Sequence, residues 1–231
     1  MRRFLVLVRY AFALVALAAL PAHALEVAKY VKAEEITGVV VEAETGKPIA
    51  NAIVVIRFER NNTGHQGPHC FRSMAVQADA EGRFRFAPWK QENTRANATY
   101  GQVKAYKAGY AVPWRSVEVP QSRRSILGIA FSDTITIPKT DVRLELKPFV
   151  GSDEERMREL RPFVANFTCR MRAYFDDIVL LTSVRDEIAS SPIANQKFPN
   201  GGYTHFGWIN EIIKDTTDPS RYRTADTYEK K

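Results

Sequence analysis

Residues 36–60 read ITGVVVEAETGKPIANAIVVIRFER, and their reading decides the fold. Two runs rich in Val and Ile, at 38–43 and 52–60, flank Glu44-Thr45-Gly46-Lys47-Pro48. Branched side chains favour the pleated, half-buried surface of a strand. Gly46 can adopt a positive φ, and Pro48 has no N–H to give a ladder, so the intervening segment reads as a turn with strands on either side.

The same pattern continues to residue 148. A strand is expected at 71–78, and Asp79-Ala80-Glu81-Gly82 turns the chain into Arg83-Phe84-Arg85-Phe86. Alternation of that kind sends both phenylalanines inward and both arginines to solvent. Further strands are expected at 100–105, 115–119, 133–137 and 142–146, with Val142, Leu144 and Leu146 on one face. Seven or so short strands separated by turn signals predict a mainly β chain, an antiparallel sandwich. No G-x-G-x-x-G follows a strand, and there is no phosphate loop.

After Gly151 the period changes. Ser152-Asp153-Glu154-Glu155 has the form of a capping box. Met157, Leu160, Phe163, Val164 and Phe167 follow at helical spacing, interrupted by Pro162, which should kink the helix or start another. Tyr174, Ile178, Leu181, Val184 and Ile188 mark a second helical face. Residues 152–231 therefore read as a C-terminal helical and loop extension packed on the sandwich.

The first 24 residues have the layout of a secretory signal. Arg2, Arg3 and Arg9 precede an uncharged apolar run, and Ala22-His23-Ala24 supplies small residues for cleavage. The run is short for a bilayer span, so no membrane span is expected after cleavage. Loss of the three arginines takes the formal charge from +7 to +4, an excess too mild to point to nucleic acid. A periplasmic or secreted destination follows.

Three motifs carry a family likeness. Thr37-Gly38-Val39-Val40-Val41 with the turn 45–48 and Ala50-Asn51-Ala52, the hairpin 79–86, and Ala108-Gly109-Tyr110 occur in the order of the carboxypeptidase regulatory-like domain. Residues 34–148 resemble that family. The resemblance implies a transthyretin-like (prealbumin-like) β-sandwich, with the glycines read as serving turns, and in zinc carboxypeptidases such a module is an accessory to a separate catalytic domain. No such domain and no H-E-x-x-H are present here. Two connections are longer than the family pattern, 60–69 and 120–132, and long loops on a rigid sandwich are where binding function concentrates.

The first of these loops ends in GHQGPHC, residues 64–70. One reading makes it a metal or enzymatic centre, with His65 and His69 as nitrogen ligands, Cys70 as sulfur, and Glu59 or Asp79 adding an oxygen. The other pairs Cys70 with Cys169, the chain's only other cysteine, in a disulfide suited to an oxidising compartment. The acid pairs Glu34-Glu35, Asp176-Asp177 and Asp186-Glu187 read as solvated faces. Trp89, Tyr100, Trp114 and Trp208 could stack on sugars, but aromatics beside strands belong more often to cores. The expectation is a non-catalytic binding or scaffold module without a cofactor, taking a cell-envelope protein or glycan.

Overall fold

The computed structural model describes residues 28–60, 69–92, 99–113, 115–120, 125–126, 129–130, 134–167 and 178–193. Twelve strands and two helices lie among them: β1 (Tyr30–Ala33), β2 (Ile36–Glu42), β3 (Ile53–Arg60), β4 (His69–Gln77), β5 (Arg83–Phe86), β6 (Trp89–Glu92), β7 (Thr99–Tyr106), β8 (Val117–Val119), β9 (Ser125–Ile126), β10 (Ile129–Ala130), β11 (Thr134–Ile137), β12 (Thr140–Leu146), α1 (Asp153–Phe167) and α2 (Ile178–Ser190).

Apart from the small β9–β10 ribbon, these strands make seven crossings. The sheets β11-β1-β6 and β12-β2-β5 share three crossings of the chain, each interrupted at the same level, and β4-β3-β7-β8 supplies four more. The interruptions are Glu34-Glu35, Ala87-Pro88 and Pro138-Lys139. They stay stitched together, because Glu34 N donates to Ile137 O at 2.9 Å and Thr140 N to Glu35 O at 3.2 Å. Two of the three contain a proline, which has no N–H for the ladder. Glu35 also meets Arg85 and, at 3.4 Å, Lys139 Nζ, so one carboxylate binds the two flanking crossings across the crease.

The pairing is not wholly antiparallel, as the turn signals had suggested. β1 lies parallel to β11, and β2 parallel to β12. The last crossing returns beside the first after the rest of the sandwich has intervened, and so long a connection permits either direction. β1 and β6 escape the sequence pattern because YVKA and WKQE are short, and the latter is polar at all but its first residue.

The core between the sheets contains Val40, Val54, Ile56, Phe58, Phe84, Phe86, Val142, Leu144 and Leu146. Each such side chain contributes roughly 1.5–3 kcal/mol on burial. Val54, Ile56 and Phe58 of β3 face this core, while Ile53 and Val55 belong to a second one. Burial on both faces explains why β3 reads as a continuous apolar run rather than an alternation.

The second core forms where α1 and α2 cover the outer face of the four-stranded sheet. Met157, Leu160, Phe163 and Val164 of α1 meet Leu180, Leu181, Val184 and Ile188 of α2 over Ile53, Val55 and Tyr106. The capping box is formed, with Glu155 N donating to Ser152 Oγ at 3.3 Å and Ser152 N to Glu155 Oε2 at 2.8 Å. The same contacts hold the Glu155 carboxyl below its ordinary range. Pro162 does not start a second helix; α1 runs through it. Pro162 is exposed, so water can serve the carbonyl one turn back that lacks its donor.

Candidate functional site

The strand registers bring three of the connections to one pole. β3 ends at Arg60 with His69 of β4 on one side and Thr99 of β7 on the other. Val119, the end of β8, lies beside Gly101. In the facing sheet, Tyr30 neighbours both Glu92, the end of β6, and Thr134, the start of β11. The connections 61–68, 93–98 and 120–133 all leave from strand ends at this pole.

The floor beneath them is aromatic. Phe58 meets Trp89 edge-on at 5.1 Å, and Phe71 lies tilted at 6.3 Å from the same ring. The Arg72 guanidinium lies 4.8 Å over Trp89, and Arg72 Nη1 donates to Gln91 Oε1 at 3.3 Å. Two consecutive β4 residues, Phe71 and Arg72, reach this interior side because Phe71 is an extra, bulged residue opposite the step from Phe58 to Glu59 of β3. Gly101 is needed here, since a Cβ would come within 2.8 Å of the Phe58 ring. Among the described residues, Trp89 Nε1 is buried and meets no hydrogen-bond acceptor. Trp89 thus packs against the core, the bland alternative to sugar stacking.

On the outer side of the same sheet, Arg57 Nη2 holds Glu59 Oε1 at 2.9 Å, both side chains largely buried. Cys70 stands opposite Glu59 in register. Among the described residues there is no free cysteine. His69 lies opposite Arg60 on β4. His65 and Cys169 lie outside the described residues, as do Trp114, Trp208 and the pair Asp176-Asp177. Asp79 does not belong near this loop. It sits past the far end of β4, where its Oδ1 accepts from Arg83 N at 2.7 Å and Glu81 N at 3.1 Å. Among the described residues no group of three or more His, Cys, Asp or Glu side chains is placed to hold a metal ion.

A second polar cluster lies between the sheet and the helices. Arg156, only 4% exposed, grips Glu187 through Nε at 2.8 Å and Nη2 at 3.1 Å, and Glu159 through Nη1 at 2.7 Å. Glu159 Oε1 accepts from Val112 N at 2.8 Å, and Tyr106 donates to Glu187. Burial alone would lower the Arg156 pKa, but Glu187 and Glu159 more than offset it and raise it. Burial, then Glu187, pushes the Tyr106 phenol far above its ordinary range, so it remains a donor. Burial lowers Lys104 on the same face, against the pull of Glu159. Glu187 is therefore not the solvated acid expected beside Asp186. The sequence carried a signal: Arg156 precedes Leu160 by one turn and Glu187 follows Val184 by three, so both charges stand on apolar stripes.

Among the described residues no helix is long and apolar enough to cross a membrane. No protein-family model matches the chain, and no curated protein does. Solved structures similar to it include catechol 1,2-dioxygenase from Pseudomonas arvilla C-1, with 15% identity, a TM-score of 0.30 and 55% of each chain covered. An intradiol ring-cleavage dioxygenase from Tetranychus urticae shows 12% identity and a TM-score of 0.31 over 53% of this chain and 84% of its own. The shaft pilin SpaA from Lactobacillus rhamnosus GG shows 14% identity and a TM-score of 0.26 over 52% of this chain and 47% of its own. The chain spans about half the length of the Pseudomonas enzyme and of the pilin. Likenesses this slight carry nothing about activity.

Proposed function

We propose that the chain is an exported, non-catalytic binding or scaffold module of the carboxypeptidase regulatory-like kind, which engages a cell-envelope protein or glycan through its loop-bearing pole. The observation that carries this reading is that the connections 61–68, 93–98 and 120–133, the last of them the longest between strands, leave from strand ends at one end of a body closed elsewhere by two cores. Binding function concentrates on loops that a rigid sandwich carries. The family likeness is supported by where its motifs fall: the turn 45–48 joins β2 to β3, with Gly46 at φ 68°, and the hairpin 79–86 joins β4 to β5. Export is supported by the signal-like start of the chain.

A non-catalytic role is supported by the employment of the buried acids. Glu59 is spent on Arg57, and Glu159 and Glu187 on Arg156. Pairing of Cys70 with Cys169 belongs to the same reading. It is supported by Cys70 being disulfide-bonded in a chain with two cysteines, and by α1 ending at Phe167, two residues before Cys169.

The test compares the exported protein with a variant whose residues 61–68 are replaced by a short turn. Both are applied to a glycan array and to cross-linking in intact envelopes. Binding that the replacement abolishes while the circular dichroism stays unchanged supports the proposal. Stoichiometric metal with two alkylatable thiols in the untreated protein would overturn it in favour of a centre at His65, His69 and Cys70.

A further inference from the structure

β12 ends the sheet order β12-β2-β5, and among the described residues no strand is hydrogen-bonded to its outer edge. In a strand, successive residues turn their backbone groups to opposite edges. Thr140 N reaches Glu35 O at 3.2 Å and Leu146 O receives Ala43 N at 2.8 Å, so the even-numbered residues face β2. The odd-numbered ones face away. Lys147 O receives Ala111 N there at 2.8 Å, from the connection between β7 and β8. Asp141, Arg143 and Glu145 have no backbone partner on that side among the described residues, and all three side chains are exposed.

Open edges are commonly protected by charge. Here the charges alternate in sign, and alternation can complement itself. We propose that the outer edge of β12 pairs antiparallel with β12 of a second copy of this chain, in the register that sets Val142 opposite Val142. Only odd residues can oppose odd residues across this edge, which leaves four registers to weigh. Arg143 against itself sets Asp141 against Glu145, and Asp141 against itself sets Arg143 against Lys139; both oppose like charges, which destabilise. Arg143 against Glu145 needs the edge at Lys147, where residues 109–111 already sit: Phe149 N donates to Gly109 O at 2.9 Å, and Tyr110 bridges Pro148. The remaining register sets Asp141 opposite Arg143 twice, with Lys139 opposite Glu145 on each flank.

The contacts within one chain leave these groups available. Arg143 uses Nε on its own Glu145 at 3.1 Å, and Asp141 uses Oδ1 to accept from Thr37 Oγ1 at 2.9 Å. Lys139 N is spent on Glu34 and its ammonium already meets Glu35 at 3.4 Å, so Lys139 contributes a shared charge and no ladder bond. One seven-residue edge is a small interface, so the dimer is weak and sensitive to salt.

Sedimentation equilibrium of the full exported chain, up to several hundred micromolar and at low and high salt, tests this. The wild type is expected to dimerise at low salt. Arg143→Asp opposes two aspartates and weakens association about tenfold or more, and the exchange Asp141→Arg with Arg143→Asp restores it. A wild type that stays monomeric throughout overturns the proposal, as does a dimer indifferent to Arg143→Asp. Should circular dichroism show that this variant does not fold, Glu145→Lys and its exchange with Lys139→Glu make the same comparison on the flanking pair.

Discussion

Gly38 lies inside β2, not at a turn, and it has space for a hydrogen alone. A Cβ there would fall 1.9 Å from Val142 O and 2.6 Å from the Phe84 ring. Gly38→Ala is expected to destabilise by about 2–3 kcal/mol, read from urea unfolding, because strand and ring must both shift. Gly109→Ala makes the contrast. No atom lies within 4 Å of its would-be Cβ, and only the φ of 78° resists it, so the cost should be near 1 kcal/mol. Equal losses would show that space is not what β2 requires at Gly38. At Glu35 the argument is electrostatic. Hydrogen bonds from Arg85, then Lys139, hold its carboxyl below the ordinary range. The stabilisation is therefore present above the unfolded carboxyl value, near pH 4, and fades as pH falls through the lower folded value. Glu35→Gln should be less stable than the wild type at neutral pH and indistinguishable from it at strongly acid pH. A constant gap across the titration would mean that the crease relies on shape and not on this charge.

The two helices meet through Arg156 on Glu187, Tyr106 of the sheet joins them at the same carboxylate, and what one helix contributes is meaningful only with the other present. Arg156→Met leaves Glu187, largely buried, and Glu159, partly buried, without their cation, at a cost of about 3 kcal/mol. Adding Glu187→Leu should recover part of that loss, so a double-mutant cycle in urea should give a large coupling energy. Additive losses would deny that the two residues form one unit. Pro162 gives a change of opposite sign. It is exposed within α1, lacks the donor its turn needs, and touches neither core, so Pro162→Ala should stabilise by 1 kcal/mol or more on thermal melting. These elements also mark how far the sequence could be read. Arg83-Phe84-Arg85-Phe86 announced β5 because one face is buried and the other wet. Ser152 and Glu155 announced the start of α1 because a cap is a local bond. The crease did not show, since it depends on three breaks, far apart in the chain, arriving side by side. The clamp of Arg156 on Glu187 did not show for the same reason: each charge is legible only against the helix it meets. The gathering of loops at one pole likewise follows from register, which composition does not state.

At the scale of the molecule, the question is what keeps the helical layer on a sandwich that closes its own core. The second core and the Arg156 clamp act at the interior end of the layer, near Ile53, Val55 and Tyr106. Along β3 the same face becomes polar, through Arg57 and Glu59, and apolar packing there gives way to an ion pair. Cys70 stands at that polar end, opposite Glu59. A bond from Cys70 to Cys169 would fasten the layer where packing holds it least, and it would close a loop of about a hundred residues. In the chain-entropy picture such a loop limits the unfolded state strongly, and a native bond of this kind contributes roughly 2–4 kcal/mol. Reduction should therefore lower the urea midpoint by that free energy. Hydrogen exchange should quicken first in α1 and α2, while β2, β5 and β12 keep their protection, because those strands belong to the core between the sheets. Loss of protection in all layers together would mean that the sandwich and its helices unfold as a single unit. Unchanged exchange after reduction would mean that the second core and the clamp hold the layer by themselves.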